Sequence, residues 1–306
     1  MKGFYLLILL LSSNLGFSQI PVFPGAEGFG ANQITAGRGG QIIYVTNLEC
    51  AGIGSLNYAL SQAGPRTIIF KVSGIIDCPA EIVRGNVYVA GQTSPGGIIV
   101  RGLLMDGFYE AGNTPNNVLV RYIRSRPHTE EFRPYKTSWM LDDALRIDGA
   151  HGVMIDHCSF ANATDECVQI SRSSGITIQN SMFSETIGSH FDLGGMLLNY
   201  STAEHPKDSI SIHHNIWNRL GGRMPEISCE RSSEKENDLT CIRRPMHFEY
   251  SNNLLWDIPI SIYYNVGFDP SGQINADSFF MKANFVNNMA IARSSYGGAM
   301  FQHNLL

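Results

Sequence analysis

Arg223 lies in Gly222-Arg223-Met224-Pro225, a few residues beyond the apolar run Ile212-His213-His214-Asn215-Ile216-Trp217. An arginine just past a strand and held before a proline is an unusual arrangement. It becomes a chemical site if acidic residues upstream gather a cation opposite it. Such residues are present: Asp142-Asp143 opens one apolar run, Ile155-Asp156-His157-Cys158 ends the next, and Asp165-Glu166 begins another that reaches Gln169. Their oxygens suit a hard cation, provided the fold stacks these segments.

The elements that would stack them are strands. Helical periodicity is almost absent, whereas short β-branched runs recur: Thr67-Ile68-Ile69-Phe70, Val87-Tyr88-Val89, Ile98-Ile99-Val100, Val118-Leu119-Val120, Val153-Met154-Ile155, Ile176-Thr177-Ile178, Ile210-Ser211-Ile212 and Met246-His247-Phe248. A second pattern runs through them. Cys158-Ser159-Phe160 and Ser181-Met182-Phe183 are 23 residues apart, and related triplets follow at Asn215, Asn253 and Asn288 after 34, 38 and 35 residues. These longer intervals fit loops inserted into a coil of the first length. Repeats whose apolar faces are buried only against their neighbours form a solenoid. With β-branched coils and no repeated helix, the expected fold is all-β, a right-handed parallel β-helix. Asparagines repeated one coil apart are expected to form an amide ladder. The competing architecture is a β-sandwich, which needs strict alternation and hairpin dipeptides that the chain does not show regularly. Gly54-Ser55-Leu56-Asn57-Tyr58-Ala59-Leu60 reads as one short amphipathic helix with a serine cap, closing the N-terminal end. The sequence stops at Gln302-His303-Asn304-Leu305-Leu306, inside another apparent coil, so either a partner covers that end or the chain is a fragment.

Lys2, the apolar run 4–11 and Gly16-Phe17-Ser18 before Gln19 have the layout of a secretory signal peptide. Residues 1–18 are therefore expected to be removed and 19–306 to form one domain of a secreted protein, extracellular or periplasmic, with no membrane span. The formal charge is −5, and −6 once Lys2 leaves, which argues against a nucleic-acid partner held by a basic face. A polyanionic partner needs a metal to change the local sign. Six cysteines in an exported chain point to disulfides, with fifteen connectivities open. Cys229 with Cys241 is the preferred pair because they bracket the polar loop 230–240; Cys50 with Cys78 is a second pair, and Cys158 reads equally as a small buried apolar residue.

The ordered motifs Phe23-Pro24-Gly25-Ala26-Glu27-Gly28-Phe29-Gly30, Gly37-Arg38-Gly39-Gly40, Gly54-Ser55-Leu56, Val120-Arg121-Tyr122-Ile123-Arg124-Ser125-Arg126-Pro127, Ile155-Asp156-His157-Cys158-Ser159-Phe160 and His213-His214-Asn215 through Arg223-Met224-Pro225 resemble the pectate lyase family of secreted polysaccharide lyases. The resemblance implies a parallel β-helix, a calcium cofactor, and cleavage of an acidic polysaccharide, galacturonan or pectin, by β-elimination. It places Asp143 and Asp165 as calcium ligands. Gln169 takes the third ligand position, where the family has a carboxylate. Arg223 matches the catalytic arginine, whose proton the calcium and nearby cations must disfavour. The second, substrate-binding arginine of the family is Ser228 here, and its lysine is not evident among residues 190–197. Arg219 and Arg231 are therefore candidate substrate-binding residues, with Arg243 and Arg244 as further cations. A monomer is expected.

Each residue also has a structural reading. Asp143 and Asp165 can cap turns, Gln169 can belong to an amide ladder, and Asp142 and Asp156 are read as structural. Glu166 can supplement the calcium ligands, but it is adjacent to Asp165 on a strand and should point to the opposite face. The same alternation argues against a metal shared by His213 and His214, which are read as core residues. Tyr135, Trp139, Tyr263 and Tyr264 can stack on sugars or pack as loop aromatics. Two rival functions remain: a glycoside hydrolase using Asp143 with Asp165 or Glu166 as a carboxylate pair, and a non-catalytic polysaccharide-binding β-helix.

Overall fold

The computed structural model describes residues 20–127, 143–187, 194–202, 204–228, 246–258, 262–265, 281–292 and 301–304. Among them, strands pair in parallel into three sheets of nine, eight and eight strands, each adding one strand per coil in chain order. This is the right-handed parallel β-helix. The register shows what the sequence intervals measured. Val153 pairs with Ile176 and Ser159 with Met182 at 23 residues, Ile176 with Ile210 at 34, Ile216 with Leu254 at 38, and Leu254 with Met289 at 35.

Period two decides which side chains enter the coil. In the first sheet Val118, Val120, Val153, Ile155, Ile176, Ile178, Ile210 and Ile212 stack inward and are fully buried. Phe160, Phe183, Trp217 and Tyr250 continue the core as an aromatic column, with successive ring centroids 5.9, 4.8 and 5.6 Å apart. Outward-facing Leu119 and Met154 are buried too, because an N-terminal arm containing Ala26, Ala31, Ile34 and Ala36 lies across the sheet.

A single left-handed residue turns the chain from the first sheet into the second. Tyr122, His157, His214, Asn252 and Asn287 take this role, with φ between 54° and 57°. The residue after each corner points inward. At Asn215, Asn253 and Asn288 the amides form the expected ladder: Asn215 donates to Asn253 Oδ1 at 3.2 Å, and Asn253 to Asn288 Oδ1 at 3.0 Å. The helix spans Leu56–Ser61, its first turn capped when Ser55 Oγ accepts from the Tyr58 amide at 3.2 Å. Leu56, Ala59 and Leu60 join the core, closing its N-terminal end. Cys50 and Cys78 form a disulfide, while Cys158 is a buried free thiol. The pair Cys229 and Cys241 lies outside the described residues. No described helix is long and apolar enough to cross a membrane.

Candidate active site

The turns leading into the third sheet hold the acidic residues. Asp143 precedes the strand Leu145–Asp148, and Asp165 and Glu166 precede Val168–Ser171 one coil later. Glu166 is the coil equivalent of Asp143, 23 residues on, and its amide donates to Asp143 Oδ1 at 3.2 Å. One carboxylate oxygen from each of Asp143, Asp165 and Glu166 lies within 4.8 Å of the other two. Glu166 therefore faces the same side as Asp165. The expectation of opposite faces applied strand alternation to residues that lie in a turn.

Arg223 enters from two coils further along. Its φ of 53° lets the chain turn there, and its carbonyl accepts from the Met196 amide at 2.6 Å. A Cβ on Gly195 would stand 2.2 Å from that carbonyl, so glycine is needed for the two turns to stack. The guanidinium donates through Nη1 to Glu166 Oε1 and through Nε to Glu226 Oε2, the latter at 2.8 Å. Burial raises the pKa of the Glu166 carboxyl well above its ordinary value, with Asp143 and Asp165 adding to it. Asp143 moves in the same direction through burial, opposed by Arg146. Burial disfavours the Arg223 cation, but Glu166 and Glu226 more than offset this and raise its pKa. With these partners Arg223 is held as a cation, the reverse of what a base needs.

Arg146, which the sequence reading passed over, is fully buried beside the cluster. It donates to Asp143 Oδ2 at 2.9 Å and to Gln169 Oε1, and lies 3.5 Å from Asp148 Oδ2. The Gln169 amide nitrogen in turn donates to Asn199 Oδ1 at 3.0 Å. Gln169, expected as a third metal ligand, thus has its carbonyl engaged by Arg146 and its amide by Asn199. The reason is register: Gln169 pairs with Arg146 on the same outward row, a strand position beyond the turn that carries the acids. Asp148 is held by Arg172 at 2.7 and 2.8 Å. The signal that could have found Arg146 is its position three residues after Asp143, directly opposite Gln169.

The remaining expectations divide. Arg219 is half exposed and pairs with Glu185 at 3.0 Å and Asp257 at 3.6 Å. Arg231, Arg243, Arg244, Asp142, Tyr135 and Trp139 lie outside the described residues. Tyr263 and Tyr264 are on the strand Ile262–Asn265. Ser228 is fully buried, and its carbonyl accepts from Lys207 Nζ, so that position places no side chain at the surface. Asp156, read as structural, accepts from Arg121, Gln179 and Asn180 and contacts His157 at 2.8 Å. His213 is buried, but His214 is exposed, and the two rings meet instead of facing apart. The left-handed corner at His214 breaks the alternation on which the opposite reading relied.

This arrangement can bind a hard cation through oxygen donors only. The three clustered carboxylates, two of them disfavoured as anions by burial and by one another, are the donor set that fits calcium.

No protein-family model matches the chain. The protein called probable pectate lyase C of Aspergillus fumigatus is 37% identical over 225 residues, covering 72% of this chain and 48% of the relative. The protein of the same name in Aspergillus flavus is 37% identical over 213 residues, 69% of this chain and 46% of its own length. The chain thus spans about half the length of the curated relatives it matches. Among solved structures, Jun a 1, the major allergen from cedar pollen, shares the fold with a TM-score of 0.51 and 18% identity, over 90% of this chain and 84% of that one. Across most of its own length, then, the chain resembles the pectate lyase family in sequence, and its architecture is the parallel β-helix that the resemblance implied.

Proposed function

We propose that the chain is an exported polysaccharide lyase that cleaves pectate, or a related acidic polysaccharide, by calcium-assisted β-elimination. The observation that carries this reading is the stacking of Asp143, Asp165 and Glu166 in one cluster with Arg223 bonded to its rim. The relatives' printed names and the ordered motifs support the reaction class. The leader-like residues 1–18 and the Cys50–Cys78 disulfide support export.

In this reading Asp143, Asp165 and Glu166 hold calcium, Glu166 supplying the oxygen expected from Gln169. Bound calcium supplies positive charge that attracts the uronate carboxylate and eases the build-up of negative charge beside it. Arg223, once it has given its own proton to solvent, takes the proton from the carbon next to that carboxylate. The electron pair left behind forms the C4–C5 double bond as the bond to the glycosidic oxygen breaks, and that oxygen leaves with the other half of the chain, taking a proton from water. Glu166 is shared between Arg223 and the carboxylate cluster, so its hold on the Arg223 proton would weaken if its charge were engaged by calcium. Glu226 keeps the guanidinium aligned from its other edge. Arg219, paired with Glu185 and Asp257, and Arg231 are the two substrate-binding candidates.

The raised carboxyls of Asp143 and Glu166 also favour a second reading, acid catalysis by a carboxylate pair in a hydrolase. One assay separates them. Polygalacturonate and methylated pectin are each incubated with calcium and with a chelator, and both ultraviolet absorbance and new reducing ends are followed. The lyase reading expects absorbance with calcium only. Reducing ends without absorbance indicate hydrolysis, and neither signal indicates binding without cleavage.

A further inference from the structure

Away from the acidic cluster, three residues converge on the first sheet. His213 ends the strand Asp208–His213, and His214 is the left-handed corner residue after it, with a φ of 56°. The corner swings His214 back toward its neighbour, leaving the two Nδ1 atoms 2.8 Å apart and the ring planes at 85°. Glu27 arrives from the opposite end of the sequence on the N-terminal arm.

That arm is fastened where it crosses the sheet. The Glu27 amide donates to Gln179 Oε1 at 3.1 Å, the Phe29 amide to Ser211 Oγ at 3.1 Å, and the Gly30 amide to Thr177 Oγ1 at 2.8 Å. A Cβ on Gly28 would lie 2.6 Å from Ser211 Cβ, so glycine permits this close approach. The result is that a Glu27 carboxylate oxygen and one ring nitrogen from each histidine lie within 4.8 Å of one another.

We propose that Glu27, His213 and His214 form a second cation site, which takes a divalent transition metal of the zinc class and clamps the N-terminal arm to the first sheet. Two imidazoles and a carboxylate are a zinc donor set, whereas calcium prefers oxygen alone. Tetrahedral nitrogen ligands at zinc distances stand about 3.3 Å apart, so the rings must open by about 0.5 Å. His214 is exposed and can swing that far. Gln179, which holds the Glu27 backbone, is itself fixed by donating to Asp156 Oδ1 at 2.7 Å, so the site has a built support.

The test uses the full chain, stripped of metal by a chelator and then supplied with saturating calcium to occupy the acidic cluster. Zinc retention is measured by equilibrium dialysis with elemental analysis, and cobalt(II) is added separately for its visible spectrum. The expected result is one zinc per chain, a tetrahedral cobalt spectrum, and affinity reduced at least about tenfold in both Glu27→Gln and His214→Ala. Both substitutions are at exposed side chains, and circular dichroism checks that the fold is kept. Failure of the wild-type chain to retain zinc, or retention unchanged in either variant, overturns the proposal.

Discussion

Arg146 sets how much negative charge the acidic cluster presents, because its buried guanidinium touches Asp143, Asp148 and Gln169 together. Removing one member of a buried ion network leaves the others uncompensated, at a cost of about 3–5 kcal/mol. Arg146→Met is expected to lose about that much stability in a urea titration. Asp156 makes a pH prediction. Burial alone would raise its pKa, but Gln179, Asn180, His157 and Arg121 together lower it below the ordinary 3.8. A carboxyl whose folded pKa is depressed binds fewer protons in the folded than in the unfolded chain. Its stabilisation is complete above the unfolded value and fades as pH falls through the folded one. Asp156→Asn is therefore expected to destabilise the chain near neutrality and to flatten its loss of stability below about pH 4. Equal acid sensitivity in the two proteins would count against this role.

At the scale of the element, the corner and its ladder make the coils repeat. Asn253 Oδ1 accepts from the Asn215 amide, and its own amide donates to the Ile212 carbonyl at 2.9 Å. Asn253→Ala strands both partners inside the stack, and about 2–4 kcal/mol of stability is expected to go with them, measured by denaturation. Gly195→Ala acts on the site instead: the new methyl group pushes against the Arg223 carbonyl, and turnover is expected to fall more than about tenfold with circular dichroism unchanged. The coil was legible because register leaves a direct trace in sequence: the 23-residue interval between Ser159 and Met182 is a strand pairing. The same interval links Asp143 to Glu166, so the third carboxylate was within reach of the sequence. Glu166 was assigned to the opposite face because strand alternation was carried into a turn. Arg146 and Gln169 were harder, since their pairing is visible only after the register is known. The meeting of His213 with His214 depends on one left-handed residue, and that of both with Glu27 on an arm more than 180 residues away, which no local pattern records.

For the molecule as a whole, the solenoid turns sequence distance into a small displacement along one axis, so Asp143, Asp165, Glu166, Arg223 and Glu226 share one rim. The expected mature charge of −6 repels a polyuronate, and attraction must come from a bound cation. Polygalacturonate is therefore expected to bind the chain in calcium and to be released by a chelator, as read by co-sedimentation at low ionic strength. Binding that is insensitive to the chelator would show that protein cations alone hold the polymer. Arg223 and the carboxylate cluster are proposed to act as one lyase site, and a single paired measurement tests this. Wild type and Arg223→Ala are compared for calcium binding and for formation of unsaturated product from polygalacturonate. The expected result is calcium affinity within a few-fold of wild type, with product formation reduced by at least about 1,000-fold. An Arg223→Ala protein that still forms the unsaturated product at a comparable rate would contradict the claim.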